Sequence, residues 1–407
     1  MVEQKPESST LKSFYENIFP QEEMLEIGRR RKKLTIGILS EQQKYERRIM
    51  LTPEAVKILV DNGHDVFIEK QAGEGANYSD REYNENGAII VDTKNQIYNA
   101  EIILKVSPPK CEEIENFSGN QLLFSFLNMY TQSEEYIRKL IDKKITAIAL
   151  EYIKDEFNSY PVQQSMQAIS GYASIILAGD LLSNTHGGKG IMLGSIAGIT
   201  PTEVVIIGAG TTAEFAARSA LGFGSTVKVF DNSPQRLAIL QKNLGQQIYT
   251  SVFHPQVLIR ALKSADVLIG AYNLDDQGPK YFVTEGMVKE MKKGSVIIDT
   301  TTAQGGCIET TEFRGLDDPL YLKHNIIHYT ATNLPSIVPR TSSMALSNII
   351  LPILLDIGYY GGVKPYLKVN FGLRNGVYLY NGILTNEKLG SSFNIPSKNL
   401  DLLMAAF

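Results

Sequence analysis

The stretch with the most chemistry in it is a glycine turn followed by an acid. Gly208-Ala-Gly-Thr-Thr-Ala213 comes after the apolar run Glu203-Val-Val-Ile-Ile, and Asp231 closes the next run, Thr226-Val-Lys-Val-Phe. A buried strand, a glycine turn, a helix and a second strand ending in an acid make a dinucleotide-binding βαβ unit. Gly208 permits the tight turn, Gly210 lets the backbone approach a pyrophosphate, and Ala213 is small enough for close helix–strand packing. The helix from Thr211 offers unpaired N–H groups and a positive dipole end to phosphates. Asp231, twenty-one residues after Gly210, is placed to accept from both ribose hydroxyls. Its charge repels a 2′-phosphate, so the expected cofactor is NAD rather than NADP.

Two cations stand elsewhere. Lys105 sits inside the apolar run Ile102-Ile-Leu-Lys-Val, before Pro108-Pro109. Burying it unpaired would be costly, so it is expected to face a cleft, unless it is an edge lysine that discourages aggregation. Arg48 follows the first apolar run, either as a ligand-binding guanidinium beyond a strand's carboxyl end or as a surface ion-pair residue beside Arg47 and Glu46.

The elements that must position these residues are short apolar runs separated by helical stretches. The first series is Leu34 to Leu39, Asp65-Val-Phe-Ile, Ala88-Ile-Ile-Val, Glu101 to Val106, Leu122-Leu-Phe-Ser-Phe and Ile145 to Leu150. The second starts at Glu203 and continues through Thr226 to Phe230, Gln247-Ile-Tyr, Val267 to Ala271, Ser295-Val-Ile-Ile and Asn325 to Tyr329. The pattern predicts an α/β protein with two doubly wound parallel sheets, the nucleotide domain inserted into the substrate domain. The expected division is an extension over 1–32 with a helix around Thr10 to Arg30, a substrate domain over 33–165 and 340–407, and a nucleotide domain over 166–339. A long helix with many small residues, Ser165 to Leu182, is expected between them.

With 407 residues there is room for two domains and a large core. A net charge of −4 excludes a strongly basic nucleic-acid binder, and the run Arg29 to Lys33 reads as a solvated helix end. Two cysteines, Cys111 and Cys307, make no disulfide framework and fit a reducing compartment. No uninterrupted apolar run reaches the ~18 residues of a membrane span, and the N-terminus lacks a secretion signal. The expected location is the cytoplasm. His328 reads as structural, and no His, Cys and acid spacing makes a metal site.

Several separated segments resemble the alanine dehydrogenase family, which includes the NAD-binding subunit of proton-translocating transhydrogenase. They are Glu46-Arg-Arg-Ile-Met-Leu-Thr-Pro, Gly187-Gly-Lys-Gly-Ile-Met-Leu-Gly, the glycine turn, Met291 to Asp299, Gln304-Gly-Gly-Cys and His328 to Ser342. The resemblance implies reversible oxidative deamination, in which L-alanine, NAD and water give pyruvate, ammonium and NADH. It implies a homo-oligomer, hexamer or dimer, and the charge balance and short apolar runs add the expectation of no nucleic-acid or membrane partner. It assigns Arg48 to the substrate carboxylate and Lys105 to substrate contact and proton transfer. Arg236 would lie on the adenosine side and Asn333 near the nicotinamide. Two departures are notable. Asn128 stands where the family has its active-site histidine, and Ala303 where it has an aspartate before Gly-Gly. Asparagine donates a hydrogen bond to a carbonyl but exchanges no proton near neutral pH. Tyr130 and Thr300 to Thr302 are polar neighbours, and Asp299 either caps the next turn or touches ligand. Alternatives are a transhydrogenase-like or non-catalytic NAD(H)-binding protein, or a dehydrogenase of another amino or imino acid.

Overall fold

The computed structural model describes residues 31–43, 45–272, 281–330 and 333–406. The helix expected around Thr10 to Arg30 lies outside them.

The apolar runs become strands because each can bury both faces. In the first sheet β1 (Thr35–Ile38), β2 (Asp65–Glu69), β3 (Ile89–Val91), β4 (Ile102–Leu104), β5 (Leu122–Ser125) and β6 (Thr146–Ala149) are parallel, in the order β3-β2-β1-β4-β5-β6. Strict alternation divides their side chains between two cores. Ile36, Ile38, Ile102, Leu104, Leu122 and Phe124 face one, and Ile103, Leu123, Ala147 and Ala149 face the other. Near-continuous burial of this kind is what helices on both faces of a parallel sheet require.

The second sheet repeats the plan with β7 (Glu203–Ile207), β8 (Thr226–Phe230), β9 (Tyr249–Ser251), β10 (Val267–Gly270), β11 (Val296–Asp299) and β13 (Ile326–Tyr329), ordered β9-β8-β7-β10-β11-β13. Val204, Ile206, Val267 and Ile269 pack on one side, and Val205, Ile207 and Leu268 on the other.

Three antiparallel pairings break the all-parallel expectation. β12 (Leu320–Lys323) pairs with β13, and β14 (Val377–Tyr380) with β15 (Ile383–Leu384) extends the first sheet beside β6. Each joins through a short connection, Asn381-Gly382 with positive φ at both residues in one case, which carries no helical period to announce it.

The helix Pro161–Leu181 lies against the helix Thr211–Gly222. Gly171 sets their separation: a Cβ there would stand 2.5 Å from the Thr212 carbonyl oxygen and 2.8 Å from Phe215 Cβ. The helix Pro339–Tyr359 is, by length and composition, apolar enough to cross a membrane, which interrupted runs did not reveal. Its Leu346, Ile350, Leu354 and Ile357 are buried in the first sheet's core.

In both sheets the strand order reverses direction between the first and fourth strands, β1/β4 and β7/β10. Ligands of open α/β sheets bind at the carboxyl ends beside such switch points.

Candidate active site

Both switch points carry the residues singled out above. After β7, Gly208 adopts φ +108°, and a Cβ there would come within 2.5 Å of the Ala271 carbonyl oxygen. Glycine is therefore demanded by both the backbone and the neighbouring strand. Gly210 differs: it needs no unusual φ, and a Cβ there would meet no protein atom within 4 Å. The space beside it belongs to a cavity of about 390 Å³ lined by Gly210, Thr211, Asp231, Arg236, Tyr272 and Thr301, among others. Gln163, Gln164 and Gln167 of the helix Pro161–Leu181 close it from the other side. Gly210 caps the helix Thr211–Gly222 without a side-chain bond, so no side chain competes at the helix mouth. Ala213 is fully buried beneath that helix.

Asp231 is 1% exposed. Its Oδ2 accepts the Ala209 N–H at 2.9 Å and its Oδ1 the Ser233 N–H at 2.8 Å. The carboxylate thus ties down the glycine turn and retains a free lone pair on each oxygen for a diol. Arg236 is exposed at the cavity edge, its backbone N–H held by Ser233 Oγ at 3.2 Å. The donors, the open space at Gly210 and the anchored acid fit a dinucleotide.

At the other switch point, the loop after β1 carries Arg48 and the chain just past β4 carries Lys105. Arg48 is buried, not solvated. Its Nε donates to Glu46 Oε1 at 2.7 Å and its Nη2 to Glu46 Oε2 at 2.6 Å. Met166 Sδ lies 3.3 Å from Nη1, and the Phe126 ring 5.3 Å from the guanidinium carbon. The ion pair with Glu46 exists, but as a clamp: it grips the Nε/Nη2 edge and leaves the Nη1/Nη2 edge for a second carboxylate. Burial alone would raise the Glu46 carboxyl, but the Arg48 charge and donors hold it below the ordinary range.

Lys105 is 2% exposed, and its Nζ donates to Glu113 Oε1 and Oε2 at 2.9 and 2.8 Å. Glu113 also accepts from Lys110 N and Gln42 Nε2. The third ammonium proton remains. Glu41 bridges the two cations' loops, accepting from the Val106 and Ser107 N–H groups and the Ser107 hydroxyl. Desolvation pushes its carboxyl up to about 7, against the lowering charge of Lys105.

The two halves meet through side chains far apart in sequence. Asn333 Nδ2 donates to Glu46 Oε2 at 2.9 Å, so the structure sets the Asn333 amide on the arginine clamp. Arg47 N, Ile49 N and Thr52 N donate to Ser336, Ser343 and Ser347, which seats the β1 loop on the chain leaving β13.

Asn128 follows β5, exposed and left-handed at φ 44°. Its backbone N–H donates to Glu151 Oε1 at 2.8 Å. Ala303 lies exposed on a short turn, and nearby hydroxyls supply no substitute carboxylate: Thr300 donates to Gly270 O, Thr301 to Asp299, and Thr302 to Thr330 O. Asp299 takes the capping role. Fully buried, it accepts from Thr301 N, Thr311 Oγ1 and Cys307 N, while burial raises its carboxyl. His328 bonds Thr310 and Ile326 O and stacks on Tyr321, inside the sheet. Glu41, Glu113 and Glu151 were not singled out from the sequence. Glu46 was read only as a surface partner. Acids eight residues after a strand lysine and two before a loop arginine are the signal that was there.

Comparison with known proteins bears on the fold and the family. Residues 37–175 match the model of the alanine dehydrogenase/PNT N-terminal domain, and residues 174–387 that of the C-terminal domain. Alanine dehydrogenase of Staphylococcus saprophyticus is 35% identical over 369 residues, covering 90% of this chain and 99% of that protein. That of Staphylococcus haemolyticus is 36% identical over 372 residues, covering 90% and 98%. Among solved structures, an L-alanine dehydrogenase superposes with TM-score 0.83 at 32% identity, covering 89% of this chain and 99% of that one. A transhydrogenase from Sinorhizobium meliloti, at 21% identity and TM-score 0.74 over 87% and 99%, shares the fold. With both domain models matched in order and these relatives covered almost end to end, the chain belongs to the alanine dehydrogenase/PNT family.

Proposed function

We propose that this chain is an NAD-dependent alanine dehydrogenase, converting L-alanine, NAD and water reversibly into pyruvate, ammonium and NADH. The observation that carries the reading is the pairing of two sites. A backbone-built dinucleotide cradle at β7/β10 stands beside two pre-clamped cations at β1/β4, and the Asn333–Glu46 hydrogen bond joins them.

Asp231 would hold the adenosine ribose, and the turn from Gly208 to Thr211 the pyrophosphate, with Arg236 beside the adenosine. Held there, the nicotinamide would supply the hydride acceptor for deamination and the hydride donor for the reverse direction. The free guanidinium edge of Arg48 takes the substrate carboxylate, fixed in plane by Glu46 so that the substrate carbon is held in one orientation. The spare proton of Lys105 points a donor at the substrate's carbonyl or imine side and stabilises negative charge developing on oxygen. Asn128 offers a second donor to that carbonyl but no exchangeable proton. The domain division at 33–165 with 340–407, and 166–339, fits the two sheets, and a homo-oligomer and a cytoplasmic location are part of the same reading.

The test is to follow reduced nicotinamide in absorbance with L-alanine and NAD, and with pyruvate, ammonium and NADH. Turnover in both directions, with NADP a poor substitute, is expected. Tight NADH binding with no turnover across a panel of amino and oxo acids would instead select the non-catalytic reading that Asn128 and Ala303 motivate. Turnover of another amino acid alone would reassign the substrate.

A further inference from the structure

The reaction needs a proton carrier near neutral pH, and position 128 lacks one. Behind Asn128 lie polar groups with no assigned work. Glu151 follows β6, whose Ala149 pairs with Ser125 of β5. One carboxyl oxygen, Oε1, accepts the Asn128 backbone N–H at 2.8 Å. The other, Oε2, is sealed from solvent with no hydrogen-bond partner. The Tyr136 hydroxyl, on the helix Glu134–Asp142, is likewise sealed and without a partner. Burial raises the Tyr136 phenol, and the nearby charges of Cys111, Glu113 and Glu151 add to the rise. Two orphaned polar atoms within electrostatic reach of each other, in a core this well filled, call for a shared proton or a bridging water.

We propose that Glu151, steadied by Tyr136, is the proton-holding carboxyl of this active site and does the work for which residue 128 has no group. The proposal rests on the alanine dehydrogenase reading. In deamination the substrate carbon gives its hydride to the nicotinamide, and a water oxygen bonds to that carbon. The C–N bond then breaks with its electron pair on nitrogen. Three protons from the substrate ammonium and two from water must be placed; four leave on the product ammonium and one remains. Glu151 takes that one through an intervening water and gives it up by the same water, the route by which it reaches solvent.

Desolvation pushes the Glu151 carboxyl up to about 7, against the lowering effect of the backbone N–H groups of residues 151, 128 and 127. A carrier serves best when its ionisation lies near the working pH. The titratable groups packed on this side are Tyr136, with Glu113 and Cys111 beyond it and Glu113 already engaged by Lys105. Tyr152, its ring tilted 40° to that of Tyr378 at 5.4 Å, flanks the same turn.

The experiment is Glu151→Gln, which keeps an acceptor for the Asn128 N–H. Expected are a fall in alanine turnover of about 100-fold or more, loss of the near-neutral limb of the kcat/KM pH profile, and unchanged NADH affinity. Adding Asn128→His to that variant is expected to bring turnover and a titrating limb back. Retention of both rate and limb in Glu151→Gln would overturn the proposal. A second arm does not depend on turnover. Infrared difference spectra of the unmutated protein should show a buried protonated-carboxyl band that titrates near neutrality, is absent in Glu151→Gln and is shifted in Tyr136→Phe. If alanine is not turned over at all, the function above fails, and this band still decides: its absence sinks the proton-holding role.

Discussion

The two switch points solve the same problem with different materials. At β7/β10 the proposed ligand surface is backbone: a strained glycine, an uncapped helix mouth and an acid whose own bonds are to main-chain N–H groups. At β1/β4 it is side chain: two buried cations, each gripped by a buried carboxylate, with a third carboxylate joining their loops. Backbone dipoles are fixed once the fold forms. Buried charges need partners, because desolvation outweighs what either ion gains alone. The cradle is thus indifferent to most side-chain changes, whereas the clamp fails when one partner is removed.

The largest break should come at Lys105. Lys105→Met strands Glu113 in an apolar setting, and turnover should fall on the order of 10³-fold. Glu113→Gln added to it should recover stability but not rate, since a buried carboxylate left unpaired costs about 3–5 kcal/mol. Chemical denaturation separates the two, and NADH binding should survive in both. Arg48→Lys comes next. It keeps the charge but loses the fork that holds Glu46 and a substrate carboxylate together. KM for alanine and pyruvate should rise on the order of 100-fold, with NADH affinity unchanged. On the cradle side, Asp231→Ser should weaken NAD binding by about 10-fold or more and narrow the preference over NADP. An Asp231 variant that changed alanine KM alone would erase the distinction between the regions.

Acidity should also distinguish them. Burial depresses His328, in the second sheet, from 6.5 to about 4. Its neutral form is the folded one, so the unfolded chain binds the extra proton. That stability is present above the unfolded pKa and lost as pH falls through the 6.5–4 window, roughly 2 kcal/mol by pH 5. Glu41, in the first site, has the opposite sign. Its carboxyl is raised from 4.5 to about 7, so its contribution is full below 4.5 and is lost as pH rises through 7. Denaturation at several pH values, with His328→Asn and Glu41→Gln, checks both slopes. His328→Asn should flatten the acid side and leave the alkaline side alone.

How much of this the sequence reveals follows the same divide. Gly208, Gly210 and Asp231 are legible because backbone-built sites demand particular residues at fixed local spacing. Arg48 and Lys105 are legible as positions, one in the loop that follows the first strand and the other at the end of an apolar run. Their partners are harder: Glu113 is eight residues from Lys105, and Asn333 is 287 residues from Glu46. The second contact exists only once the two sheets are docked, and nothing local encodes it. Glu151 hid for the same reason, an acid after an apolar run that only the pairing of β5 with β6 brings to Asn128. The hairpin strands β12, β14 and β15 are not legible, because short strands of this kind beside parallel ones carry no distinct period.

Asn333 tests whether the two regions are separate at all. It leaves the second sheet after β13, on the cradle side, yet its amide donates to Glu46 Oε2 rather than into the cavity lined by Gly210 and Asp231. If its main work is to hold the clamp, Asn333→Ala removes one of the donors that keep the Glu46 carboxyl low and loosens the plane of Arg48. One hydrogen bond to a charged group is worth about 1.5 kcal/mol or a little more, so alanine KM should rise about 10-fold. NADH affinity should not move. Asn333→Asp should do worse than alanine, because a second carboxylate beside Glu46 competes for the same guanidinium. If instead NADH affinity falls while alanine KM holds, Asn333 belongs to the cradle, and the Glu46 contact is only where its amide rests between ligands.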